Sequence, residues 1–345
     1  MTEKLSRSGI LVVLAAIVIL LSAVKIAVAI VVPFLLAIFI AVIISPLYSW
    51  LIKKKMPAFL ALIAVIAALV ITFSFLGLMV GSSVQSFSEN LPQYESRLNE
   101  QMAGLIPKLE KYGINLSELT KMLDPASLMR YSASVLKGAG SVLTNSFMIL
   151  LIIVFMLLES QSFVRKLRQL SGQTETMKHL HEVLTKIQHY MALKAVVSLV
   201  TGIIITVALS ILGLDYALLW GIVAFALNFI PNIGSIIAAV PAVLLAFVQL
   251  GGFGALEVGL IFLTINIVIG SIIEPRLMGK GLGLSTLVVF LSLIFWGWLL
   301  GPVGMLLSIP LTIMIKIILY ADPSTRSIAI LMDSSESVPT TATKY

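Results

Sequence analysis

The chain has 345 residues, of which 59% are hydrophobic and only 11% charged, with a net charge of +7 and no cysteine. A mean hydropathy of +1.09, with less than half the roughly 25% charge of a globular domain, excludes a soluble protein and marks an integral membrane one. Without cysteine there is no disulfide, thiolate metal site or cysteine nucleophile, and the placement of the positive charge fits membrane topology rather than nucleic acid.

A helix needs about 20 apolar residues to cross a bilayer. Ile10 to Ile52 carries a single charge, Lys25, over a length fit for two crossings. The turn is expected near Lys25, whose ammonium can snorkel to the headgroups, with Pro33 in the first turns of the second helix. These runs are too long for a signal peptide, and no small-residue cleavage site follows the first. Lys53-Lys54-Lys55 closes the pair. Ala58 to Val80 predicts a third span, Val142 to Leu158 a fourth, Ala195 to Leu212 a fifth and Leu256 to Ile273 a later full crossing. Tyr216 to Leu250 and Leu284 to Leu319 are apolar but interrupted. The expected fold class is therefore all-α: a polytopic helical membrane protein with about eight transmembrane segments.

Lys and Arg set the orientation. With a cytoplasmic N-terminus, the triple lysine, the Arg165-Lys166-Arg168 cluster, Arg276 and Lys280 all fall inside, as does the polar C-terminus. Residues 81–140 fall outside, where Arg97, Lys108, Lys111, Lys121, Arg130 and Lys137 balance Glu89, Glu95, Glu100, Glu110, Glu118 and Asp124. Span five must then leave near Asp215, and the crossing that starts near Glu257 must also begin outside. Tyr216 to Leu250 therefore enters and leaves on one side, as a re-entrant hairpin or two short crossings, with Pro231-Asn232-Ile233-Gly234 at its tip. Leu284 to Leu319 breaks at Gly301-Pro302-Val303-Gly304 and returns inside by the same counting.

The two interrupted regions resemble each other. Trp220-Gly221 precedes the first break, with Gly234 and Pro241 after it; Trp296-Gly297 precedes the second, with Gly304 and Pro310 after it. Inverted pairs of broken helices are one way to build a transporter site near the midplane. The plainer alternative is that Gly and Pro are common in membrane helices.

Between the spans, Leu91, Tyr94, Leu98, Met102, Leu105, Leu109 and Tyr112 follow a helical period with charges between them. They predict an amphipathic outer segment, either a cap packed on the spans or a gate. Met177, Leu180, Leu184, Ile187 and Met191 predict a cytoplasmic interfacial helix running into span five.

Polar residues inside apolar runs are the candidate pathway. Asn266, Gly270 and Glu274 recur every four residues and share a helix face. A carboxylate at that depth needs a partner or water, and Arg276, just past Pro275, is the nearest candidate. Glu274 then reads as a titrating group, a latch at the cytoplasmic mouth, or a plain interfacial salt bridge. Asn228 and Asn232 flank the first break and can satisfy freed backbone groups or a polyol-like solute. Lys194, Ser198 and Thr201 form a polar stripe on span five, with Lys194 read as an interface anchor. The candidate solute or ion pathway is thus Asn228, Pro231, Asn232, Gly234, Asn266, Glu274 and Arg276. His179, His181 and His189 have no metal-ligand spacing, Gly279-Lys280-Gly281-Leu282-Gly283 lacks the Walker spacing, and no Ser/His or paired-Asp arrangement lies within the spans. No metal, cofactor or catalytic residue is expected.

The stretch from Phe225 to Pro310, with NFIPNIG at 228–234 and EPRLMGKGLGLSTLVVF at 274–290, resembles the autoinducer-2 exporter family of bacterial membrane transporters. The likeness extends over nearly the whole chain, including VPFLLAIFIAVI at 32–43. It implies export of the quorum-sensing signal autoinducer-2 across the inner membrane, driven by an ion gradient, with H+ or Na+ as the candidate coupling ion. It also implies a homo-oligomer, with a pentamer as the expected form. Some similar proteins are thought to exchange sodium or lithium for protons, and a non-transporting scaffold or regulator is a third reading. The expected partners are a small polar solute and membrane lipid. The expected division is N-terminal transmembrane helices at 1–80, a periplasmic helical segment at 81–140, a transmembrane and interfacial helix at 141–192, a transport core at 193–320 and a polar tail at 321–345.

Overall fold

The computed structural model describes residues 7–110, 127, 146–170, 175–231, 233–278, 283–321 and 324–333. Among them all regular structure is helical, because in lipid a helix satisfies its own backbone. In chain order the helices are α1 (Arg7–Ile26), α2 (Val28–Lys53), α3 (Ala58–Glu110), α4 (Ser146–Leu170), α5 (Glu175–Ile211), α6 (Ala217–Leu227) and α7 (Gly234–Ile265). A π-helical segment (Asn266–Ile273) follows, then α8 (Glu274–Met278), α9 (Thr286–Leu300), α10 (Pro302–Leu306), α11 (Ser308–Ala321) and α12 (Arg326–Leu331). Four stretches, Val28–Lys53, Ala58–Gln101, Ile187–Ile211 and Gly234–Leu277, are long and apolar enough to cross a membrane; shorter apolar helices accompany them. The chain falls into two compact units, one of residues 1–45, 151–184 and 282–345, the other of 46–150 and 185–281.

In the second unit α3 is one helix of 53 residues, about 80 Å long at 1.5 Å per residue. It runs unbroken past Val80, so the third span and the start of the outer segment are one rod. Its far half packs against α6 and α7. Tyr94 and Leu98 are buried there, as their spacing predicts; the side chains of Met102, Leu105 and Leu109 and all of Tyr112 lie outside the described residues. The Phe87 ring lies 5.8 Å from Tyr94 and 6.0 Å from both Tyr216 and Trp220, edge-on to the latter two. Asn90 donates to the Tyr216 hydroxyl at 3.1 Å and Gln101 to the Val248 carbonyl at 3.2 Å. The C-terminal half of α3 is thus fastened to both arms of the interrupted region.

That region is a helical hairpin. Pro231 lacks an N–H and ends α6, and tight turns satisfy the tip: Ile230 donates to the Leu227 carbonyl at 2.8 Å and Gly234 to that of Ile230 at 3.3 Å. Gly234 is needed because a Cβ there would overlap the Leu227 carbonyl. At the base, Gln249 donates to the Gly213 carbonyl at 3.1 Å and accepts the Asp215 N–H at 2.9 Å. Gly251, at φ 80°, then kinks α7, so the returning arm ends at Leu250. At 11 residues, α6 is about 16 Å long, roughly half the hydrocarbon thickness.

The first unit contains the other interrupted region. Ser285 caps α9 by accepting the Val288 N–H at 3.3 Å, Gly301 breaks it at φ 72°, and α11 returns against α9, where Trp296 donates to Thr312 at 3.0 Å. At its base Lys316 donates to the Gly283 carbonyl at 2.5 Å and pairs with Asp333, while Ser285 donates its N–H to Met332 at 3.0 Å. Both hairpins are therefore closed by a polar side chain of the returning arm on a left-handed glycine carbonyl. Lys25, expected to reach headgroups, instead donates to the Trp298 carbonyl at 2.8 Å and lies 4.2 Å from that residue's ring. Ala27 alone separates α1 from α2.

Candidate solute site

Of the candidate pathway residues, Asn228, Asn266 and Glu274 gather in the second unit near one face of α5. Lys194, Ser198 and Thr201 lie at i, i+4 and i+7, so one stripe of α5 carries all three, and each is buried. α5 can present this face because Gly202 and Gly221 bring α5 and α6 backbone to backbone: a Cβ on either would come within 2.7 and 2.6 Å of the other's carbonyl oxygen. Small residues at such crossings are how membrane helices pack closely.

Two partners from other elements meet the stripe, and its third member bonds within α5. Asn228, at the end of α6, donates its side-chain amide to Ser198 at 2.9 Å. Thr201 turns its hydroxyl back to the Val197 carbonyl at 2.9 Å. Lys194 donates to Glu274 at 2.5 Å. This last contact corrects the sequence reading in two respects: the partner of Glu274 is Lys194 rather than Arg276, and Lys194 is a buried counter-ion rather than an interface anchor. Arg276 lies exposed on α8. Tyr190, one turn before Lys194, is within electrostatic range of Glu274.

Glu274 reaches that position through a change in helix winding. Pro275 has no N–H to give the carbonyl four residues back, and its ring would collide with it. The helix before it is accordingly wound as a π-helix, in which Glu274 donates its N–H to the Ile269 carbonyl, five residues away. Such widened turns recur at functional sites. The change keeps Asn266 beside Gly270: a Cβ on Gly270 would sit 3.1 Å from Asn266 Oδ1.

Between these elements lies a cleft lined by Thr201, Asn228, Ser235, Asn266 and Gly270 on its polar side and by Ile205, Phe262 and Ile269 among its apolar residues. Its empty space is about 300 Å³ counting the open mouth, while the enclosed part is water-sized. Chemically it offers neutral amide, hydroxyl and carbonyl groups, with the one carboxylate of the site already neutralised by a lysine. Of the residues singled out from sequence, Asn228 and Asn266 line the cleft and Glu274 stands one turn beyond Gly270. Gly234 is buried at the tip beside half-buried Pro231; Asn232 lies outside the described residues. Ser235 was missed, since a lone serine after a break carries no spacing signal. Lys194, Ser198 and Thr201 were visible as a stripe, but nothing local marks them as facing Glu274.

A family model for AI-2E family transporters matches residues 11–322, nearly the whole chain. The chain belongs to the AI-2E transporter family. It is 41% identical to the AI-2 transport protein TqsA of Escherichia coli K12 over 94% of this chain and 95% of that protein. It is 39% identical to a provisionally named transport protein of Haemophilus influenzae, over 97% and 99% of the two chains, and 35% identical to the provisionally named transport protein YhhT of E. coli K12 over 96% of each. The family and the apolar helices agree on one coarse function: a membrane transporter.

Proposed function

We propose that this transporter exports autoinducer-2, a small polar signal, across the bacterial inner membrane, with both termini cytoplasmic, and that the solute passes the cleft between α5, the first hairpin and the π segment. The observation that carries the reading is the pairing of Lys194 with Glu274 beside Asn228 and Asn266. It leaves a charge-balanced cleft whose mostly apolar lining carries a few neutral hydrogen-bonding groups, which suits a small neutral solute with hydroxyl or carbonyl groups. The relationship to TqsA supports the choice of solute.

The test is flux. Purified protein in liposomes loaded with labelled autoinducer-2 should release it faster than empty liposomes, and Asn228→Leu should slow that release at least tenfold while leaving the thermal melt of the protein close to wild type. Equal retention with and without protein would remove the export reading. An imposed proton or sodium gradient in the same vesicles tells whether the flux is coupled.

A further inference from the structure

We propose that Pro275 and the π winding before it create a binding point for the hydroxyl group of a neutral solute at the carbonyl oxygen of Gly270. This rests on the reading of the cleft as a solute site and adds which backbone atom recognises the solute and what chemistry it selects.

In an α-helix the Gly270 carbonyl would accept the N–H of Glu274. That N–H is given instead to Ile269. By the π rule the next donor belongs to residue 275, which is proline and has none. Both helical donors are lost to one carbonyl. An unsatisfied carbonyl at membrane depth costs several kcal/mol, so such a group persists where water or a ligand supplies the missing donor. Gly270 lines the cleft, and with no side chain it leaves that carbonyl uncovered on its own residue.

The neighbours share the same bias. Asn228 gives one of its two amide N–H groups to Ser198, which leaves its carbonyl oxygen to accept and one N–H to donate, and Thr201 has committed its hydroxyl hydrogen to Val197, which leaves its lone pairs. Asn266 can give and take. The Gly270 carbonyl, the Thr201 lone pairs and the Asn228 carbonyl favour a ligand that brings O–H donors, and the amide N–H groups can in turn meet its oxygens. A cation would also find acceptors here, but Lys194 already compensates Glu274, so no net negative charge is left to offset a cation's desolvation. The enclosed part is water-sized, which fits one hydroxyl group, with the rest of the solute in the open mouth.

The experiment uses the full-length protein in detergent, with autoinducer-2, ribose, tetrahydrofuran and sodium chloride as probes of thermal stability. Autoinducer-2 and ribose should give a saturable rise in melting temperature, and tetrahydrofuran, a ring without hydroxyls, should give none. Pro275→Ala restores an N–H that can cap Gly270, so it should keep or raise the basal melting temperature while weakening the apparent affinity for the hydroxylated probes about tenfold. Asn266→Ala, which leaves Pro275 in place, should weaken the same probes and serves if the proline variant misfolds. Unchanged affinity in both variants would overturn the proposal, as would a saturable response to sodium chloride lost in Pro275→Ala, or no saturable response to either hydroxylated probe. Liposome flux separates the two readings. Ribose binding that Pro275→Ala weakens, without autoinducer-2 flux in wild type, sinks export alone; flux and affinity both untouched by Pro275→Ala sink the carbonyl site alone.

Discussion

Lys194 Nζ lies 2.5 Å from Glu274 Oε1, joining residues 80 positions apart in sequence, with side-chain exposures of 7% and 14%. The pair ties α5 to the first residue of α8 and sets the electrostatic character of the cleft beside it. Two ions this far out of water do little for stability as a pair, but either alone is expensive. Lys194→Met should therefore destabilise the protein by about 3–5 kcal/mol, while Lys194→Met with Glu274→Leu should recover most of that. Thermal melts of the two single variants and the double variant in detergent check this. Strictly additive losses would mean that the two charges are not coupled.

Gly221 and Gly77 make a matched pair for the helix crossing. A Cβ at Gly221 would meet Thr206 and the Gly202 carbonyl, whereas one at Gly77 meets nothing within 4 Å. Gly221→Ala should cost about 1–3 kcal/mol by forcing α5 and α6 apart. Gly77→Ala, inside α3, should be neutral or stabilising by up to about 1 kcal/mol. Melting temperatures that move together would contradict the close approach.

Phe87 links the C-terminal half of α3 to the first hairpin through Tyr94, Tyr216 and Trp220. It is fully buried, so Phe87→Ala should cost about 3–5 kcal/mol. The Trp220 indole, which donates to the Asp215 carbonyl at 3.1 Å, should then become more accessible to a soluble fluorescence quencher, read in a background with the other three tryptophans replaced. Unchanged quenching would show that α3 is not what covers the hairpin.

At the base of the second hairpin, Lys316 holds both the Gly283 carbonyl and Asp333, which keeps α12 against residues 283–285. Lys316→Met should release α12 and speed tryptic cleavage at Arg326 several-fold. Cleavage at Lys55, in the exposed turn after α2, should not change. Equal acceleration at both sites would point to general unfolding rather than a local clamp.

Much of this architecture was legible beforehand because its causes are local. Pro231 and Gly301-Pro302 stop helices by removing donors and freeing φ, wherever the rest of the chain lies. The return of Tyr216 to Leu250 followed from charge counting at Asp215 and Glu257, and the kink at Gly251 closes the arm one residue beyond the predicted end. The burial of Tyr94 and Leu98 followed from their period. Lys194 was misjudged for an equally physical reason: near the end of an apolar run, a lysine destined for the interface and one destined for a carboxylate look the same.

The amino-acid sequence by itself determined the membrane class, the positions of the helices and the two breaks, because apolar length, helical period and the missing proline N–H act within a few residues. Only the tertiary structure decided which polar groups meet: Lys194 with Glu274, Asn228 with Ser198, Gln249 with Gly213 and Asp215. It also decided that the helix before Pro275 widens. Each of these depends on elements distant in sequence being packed at a particular rotation, and a buried charge or amide takes whichever partner that packing brings within reach.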